Sequence, residues 1–86
     1  MLNKVLEQFK LQPLSIGEVE DSHSSMVYRC ELISGETAFI KIPFSKLKYQ
    51  REIESYELLK GRVPIPELLA YWSGDEECPG AFLLSE

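Results

Sequence analysis

The stretch Thr37-Ala38-Phe39-Ile40-Lys41-Ile42, read T-A-F-I-K-I, sets a single charge inside a short apolar run. β-Branched and aromatic side chains suit a pleated, packed surface, so the stretch predicts a strand. Alternation along it sends Ala38, Ile40 and Ile42 to one face and Phe39 and Lys41 to the other. Apolar residues on both faces imply that both sides of the sheet are covered. A charge in such a run is costly to desolvate unless it is paired. The bland reading is that Lys41 lays its stem on apolar surface and keeps its head in water. The sharper one requires a partner.

The next segment offers one. Beyond Pro43 and Phe44, Ser45 is suited to cap a helix, which runs to about Lys60, with Gly61 as its C-terminal stop. At about 100° per residue, Tyr49, Ile53, Tyr56 and Leu59 form one apolar stripe. Glu52 falls inside that stripe, whereas Glu54 and Glu57 fall on the expected solvent face. A carboxylate on a packing face needs a cation or donors. Lys48, one turn earlier, is a local candidate, but such helical pairs contribute only about 0.2–0.5 kcal/mol, and that pairing leaves Lys41 unexplained. The expectation is therefore an ion pair between Lys41 on the strand and Glu52 on the helix.

Working outward, Leu2, Val5, Leu6 and Phe9 recur at helical spacing, with Lys4, Glu7 and Gln8 on the other side. This short helix stops before Pro13, and its role is packing. Leu14 to Glu20 reads as a strand with a possible bulge at Gly17. Asp21 to Ser25 is a polar turn. Met26 to Ile33 is a second strand, with Met26, Tyr28, Cys30 and Leu32 on one face. Ser34, Gly35 and Glu36 make a tight connection, so the T-A-F-I-K-I strand returns as a hairpin. After the second helix, Pro64 and Pro66 force an extended link. Glu67 to Ser73 is a fourth strand, Gly74 to Gly80 a polar turn, and Ala81 to Ser85 a fifth strand. The predicted fold class is α+β: a five-stranded antiparallel sheet with one main helix plus a short N-terminal helix, in a single domain.

The chain has 86 residues, a size at which only roughly 60% of the unfolded surface is buried. Nine basic against fourteen acidic residues give a net charge of −5, which argues against a nucleic-acid partner, since that would call for a basic footprint. No apolar run approaches the roughly 20 residues that span a bilayer, and the N-terminus shows no signal-peptide pattern. Cys30 and Cys78 form no C-x-x-C pair, which leaves metal-ligand and disulfide readings little support. The expectation is a cytoplasmic protein with reduced thiols and no membrane partner.

The ordered set V-Y-R-C-E-L, F-I-K-I, Q-R-E-I-E-S-Y-E-L-L, V-P-I-P-E-L-L and A-F-L-L-S-E resembles the N-terminal lobe of the kinase-like fold. Its V-P-I-P segment, followed by a strand and L-L-S-E, is similar to the branch of aminoglycoside phosphotransferases and related small-molecule kinases. The resemblance covers nearly the whole chain after the first helix. It implies that Lys41 contacts the α/β-phosphates of ATP or GTP and that Glu52 orients it. It implies that Phe39 lies against the adenine ring, that Val27 roofs it, and that the turn Ser22 to Met26, with Ser24, Ser25 and Met26, closes over the phosphates. It places Leu84 at a gatekeeper position and the backbone of Ser85 and Glu86 at the start of an adenine-binding hinge. That turn holds no glycine, a departure from protein kinases, and lone His23 is read as a bystander. An H-x-D-x-x-x-x-N catalytic loop and a downstream metal-binding aspartate are lacking, so no catalytic residue and no metal ligand is nominated here. The small-molecule acceptor and the Mg accompanying the nucleotide would belong to an absent second lobe, making the chain the N-terminal portion of a longer enzyme. An exposed lobe face, or the open edge of the fifth strand, is expected to support a homodimer. The competing expectation is a stand-alone α+β interaction module in which Lys41 and Glu52 form a structural ion pair.

Overall fold

A computed structural model describes residues 2–19, 25–59 (for Leu59, the backbone only) and 67–85. The expected turn with Asp21, Ser22, His23 and Ser24, the helix stop at Lys60 and Gly61, the V-P-I-P link and Glu86 lie outside the described residues. The elements are α1 (Leu2–Gln8), β1 (Pro13–Val19), β2 (Ser25–Leu32), β3 (Thr37–Pro43), α2 (Lys46–Leu59), β4 (Leu68–Trp72) and β5 (Ala81–Ser85). The five strands form one antiparallel sheet in the order β1-β2-β3-β5-β4. This is the expected α+β class.

Local chemistry accounts for the joints. Gly35 sits at φ +92°, a left-handed conformation open to a residue without Cβ. Around it the Leu32 amide donates to the Glu36 carbonyl at 2.9 Å, closing the β2–β3 hairpin. At the start of α2 the Lys48 amide donates to Ser45 Oγ at 3.2 Å, so Ser45 is the N-cap. The end of α1 is less obvious from sequence. The Leu11 amide donates to the Leu6 carbonyl at 3.0 Å and the Lys10 amide to the Glu7 carbonyl at 3.1 Å, a Schellman arrangement with Lys10 at φ 55° in the place glycine usually takes. Leu6 and Leu11 both pack on the core there.

The sheet is covered on both faces. On one side Val5 of α1 joins Cys30, Ala38, Ile40, Ile42, Ala81, Leu83 and Cys78 in a buried cluster, with Met26, Tyr28 and Leu32 against it. On the other side Tyr49 of α2 packs with Phe82 and Leu84, and Phe39, Ile53, Tyr56 and Leu68 adjoin them. Fully burying an isoleucine such as Ile40 or Ile42, both 0% exposed, contributes about 1.5–3 kcal/mol. The T-A-F-I-K-I strand thus feeds two cores of different character: aliphatic under α1, aromatic under α2.

Three expectations are corrected. β5 is not an edge strand; it lies between β3 and β4, because β4 takes the outside position and β5 folds back into the gap. Pairing through the edge of the fifth strand is therefore ruled out, and the sheet edges are β1 and β4. The bulge in β1 is not at Gly17, which pairs regularly with Arg29. It falls at Leu14, where Pro13 opposes Leu32 and Ser15 opposes Glu31, and Leu14 is left 70% exposed. β4 carries the same device at Leu69, between the partners of Leu84 and Leu83. Bulges on both outer strands disturb the ladders that a second sheet would need. Finally, Ser25 belongs to β2 rather than to the turn, because it pairs with Pro43, next to Met26, which pairs with Ile42 as a strand residue as expected.

One long-range fastening has no local signature. Lys4 Nζ meets Asp75 Oδ2 at 2.7 Å and Glu77 Oε2 at 3.2 Å, tying α1 to the β4–β5 loop. Asp75 Oδ1 in turn accepts the amides of Glu77 and Cys78, each at 2.9 Å. The Lys4 hydrogen bond, then the Cys78 amide, lower the Asp75 carboxyl from 3.8 to about 2. A carboxyl whose folded pKa lies below its unfolded value stabilises the fold above the unfolded value and loses that contribution as pH falls through the folded one. Acid titration from pH 4 to pH 2, followed by circular dichroism, should therefore show a loss of stability that Asp75→Asn flattens. An unchanged acid transition in Asp75→Asn would exclude this role for the carboxylate.

Candidate functional site

Cross-strand register builds a row of side chains on the α2 face of the sheet. Val27 of β2 stands opposite Lys41 of β3, and Lys41 opposite Phe82 of β5. One step along, Arg29 opposes Phe39 and Phe39 opposes Leu84. Directly opposed residues in an antiparallel pair share a face. Val27, Phe39, Lys41 and Leu84 therefore share one surface, together with Phe82, which sequence reading did not single out.

Lys41 Nζ lies 3.0 Å from Glu52 Oε2, with side-chain exposures of 25% and 20%. The expected strand-to-helix pair is present. Lys48 turns away from Glu52, its Nζ 5.9 Å above the Phe44 ring. Glu52 Oε2 is enclosed and accepts no hydrogen bond, so the Lys41 contact is Coulombic rather than an aligned donor–acceptor bond. Neighbouring groups sense the carboxylate. Burial first, and then the negative charge of Glu52, push the Tyr56 phenol above its ordinary value. Burial, and then Tyr71, do the same for Tyr49.

The other expected site residues divide. Val27 and Phe39 are half-buried beside Lys41. Leu84 is 8% exposed and packed in the aromatic core. Met26 lies on the face expected for it, with Tyr28, Cys30 and Leu32, where it packs under α1 and receives the Tyr28 hydroxyl at 3.7 Å, so its side chain does not share the Lys41 face. Strand alternation requires this, since Met26 is one residue from Val27. Ser25 keeps the Lys41 side of the sheet but is a buried strand residue, 2% exposed. Ser85 is still inside β5; its amide donates to the Glu67 carbonyl at 2.9 Å and its Oγ accepts the Glu67 amide at 2.8 Å. That amide is therefore taken by the chain before β4 and is not free for a ligand. Ser24 and Glu86 lie outside the described residues. Among the described residues no group of three His, Cys, Asp or Glu side chains is placed to hold a metal ion, and no helix is long and apolar enough to cross a membrane.

The arrangement offers a cation beside a carboxylate, on a lysine side chain that is a quarter exposed. A compact ammonium so placed is suited to an anionic group such as phosphate.

Removing one member of the pair leaves its partner unanswered in a mostly covered site. Glu52→Ala should cost about 1–3 kcal/mol, between the values for exposed and fully buried pairs. Lys41→Met combined with Glu52→Gln should recover part of that cost, because neither charge then remains. Urea unfolding of the single and double variants reads both; strictly additive losses would show that the two charges do not interact. No protein-family model, no curated protein and no solved structure matches the chain, so the site is read from its own geometry.

Proposed function

We propose that this chain is the nucleotide-binding lobe of a phosphotransferase that moves the γ-phosphate of ATP or GTP to a hydroxyl of a small molecule, of the aminoglycoside kind. The single observation that carries the reading is the Lys41–Glu52 pair at 3.0 Å between β3 and α2. The resemblance implied those two residues in those two elements. Val27 and Phe39, on the same sheet face as Lys41, supply apolar surface beside the cation, as an adenine ring would need. Lys41 would neutralise phosphate charge, and Glu52 would keep the ammonium charged and in place.

The reading assigns no chemistry to this chain alone. The sequence holds no H-x-D-x-x-x-x-N run, so the base and the metal-binding groups would come from elsewhere in the enzyme. Mg2+ would arrive with the nucleotide, since the described residues of this chain offer it no ligand cluster. In such an enzyme this lobe would contribute position and electrostatic stabilisation only.

Titration of the 15N-labelled chain with Mg·ATP, followed by NMR, tests the reading. Saturable shifts should concentrate at Val27, Phe39 and Lys41. Lys41→Ala should weaken binding about tenfold or more, since a hydrogen bond to a charged group contributes about 1.5–3 kcal/mol. Absence of any saturable shift at millimolar nucleotide would reject it, leaving the pair as the structural tie of an interaction module.

A further inference from the structure

The Lys41–Glu52 contact depends on how α2 sits, and few side chains decide that. Tyr49, in the first turns of α2, stacks on Phe82 with ring centroids 5.0 Å apart and planes 9° apart. Tyr56, two turns on, meets the same ring at 5.4 Å and 56°. Glu52 lies between them in sequence, three residues after Tyr49 and four before Tyr56, so all three share one helix face. Phe82 is 0% exposed and is the cross-strand partner of Lys41. The ring that receives both tyrosines therefore stands beside the lysine that receives the carboxylate.

The Tyr49 ring has a second neighbour. Gly80, at φ +139°, passes so close that a Cβ built there would lie under 3.0 Å from three atoms of the ring. Glycine is needed twice over, for the backbone angle and for the close approach. On the same end of α2, Lys46 Nζ donates to the Ser73 carbonyl and lies 4.9 Å from the Tyr49 ring centroid. The 73–80 loop thus grips the start of the helix at both of its ends. The same loop carries Asp75 and Glu77, which hold Lys4 of α1.

We infer that Gly80 and Phe82 are positioning residues: they form the seat for Tyr49 that sets the rotation of α2 and so brings Glu52 to Lys41. The sheet supplies the lysine, but the β4–β5 loop places its partner. Tyr49 cannot leave the Phe82 ring without turning the helix face that bears Glu52. The functional meaning of this seat rests on the nucleotide reading, whereas its geometry does not.

A double-mutant cycle across Lys41→Met and Glu52→Gln, read by urea unfolding, measures whether the two charges are coupled. The cycle is run in four backgrounds: unmodified, Gly80→Ala, Tyr49→Leu and Gly17→Ala. An added Cβ at Gly17 meets nothing within 4 Å, so that background controls for glycine replacement as such. Coupling should be present in the unmodified and Gly17→Ala chains and lost in Gly80→Ala and Tyr49→Leu. Tyr49→Leu keeps an apolar side chain and a normal backbone, so it carries the test if Gly80→Ala does not fold. Coupling that persists in folded Tyr49→Leu overturns the inference. A Tyr49→Leu chain that fails to fold also overturns it, because the stack would then hold the whole domain rather than the pair. Neither readout uses nucleotide, so loss of coupling without Mg·ATP binding by the unmodified chain would reject the nucleotide reading and leave the seat standing.

Discussion

Lys41 and Glu52 meet on a sheet face that α2 covers, and that pairing constrains everything around it. A lone ammonium under a helix would lose its water without compensation, and so would a lone carboxylate on the stripe of that helix. Together they answer one another at 3.0 Å. The cost of separating them disfavours any placement of α2 that turns Glu52 away from β3. The pair therefore reinforces the placement of α2 that the directional Tyr49–Phe82 stack sets. The Tyr49 stack on Phe82 sets the rotation of the helix; the charges hold it there.

The α2 face differs in kind from the α1 face. Under α1 the core is aliphatic, with Val5, Ile40, Ile42 and Leu83 at 8% exposure or less, and such side chains interlock without any one contact dominating. Under α2 the buried cluster is Tyr49, Phe82 and Leu84, and ring stacking there has a preferred geometry. Few large side chains with directional contacts make a seat that one substitution can disturb. Many small aliphatic contacts make a floor that spreads the same disturbance. The loop from Ser73 to Gly80 joins the two sides, holding Lys4 on one and Lys46 with Tyr49 on the other.

What was legible in the sequence follows the range of the interactions. The hairpin around Gly35, the Ser45 cap and the Tyr49-Ile53-Tyr56 stripe are written within a few residues, and each formed as read. Glu52 was legible because its place on that stripe conflicts with its charge. Strand order was not, because nothing local in A-F-L-L-S says whether it lies inside or outside β4. The two bulges, at Leu14 and Leu69, depend on registers between strands and carry no glycine to mark them. Lys10 at the end of α1 was hidden for a related reason: a lysine occupies the left-handed position where glycine would have announced the stop. Phe82 was missed because its importance comes from facing Lys41 across the β3–β5 ladder, a relation that exists only once the sheet is assembled. Met26 was legible as a strand residue on the Tyr28 face, and that same placement keeps its side chain off the Lys41 face.

Charge completes the physical picture. With a net charge of −5, the chain as a whole repels anions, but at physiological salt such fields fade over about 8 Å. A cation that is to hold an anion on this surface must therefore act at contact range. Lys41 meets that condition, since its surroundings are mostly apolar and a lower local dielectric strengthens each Coulombic contact. Under the nucleotide reading, the 25% exposure of its side chain would allow an approach, and Glu52 would keep the ammonium in place before a ligand arrives. A fully buried pair would have no free side to offer. A fully exposed one would be loosely held and screened. The half-covered state is the one that joins a fixed position to access, and the aromatic seat under α2 maintains it.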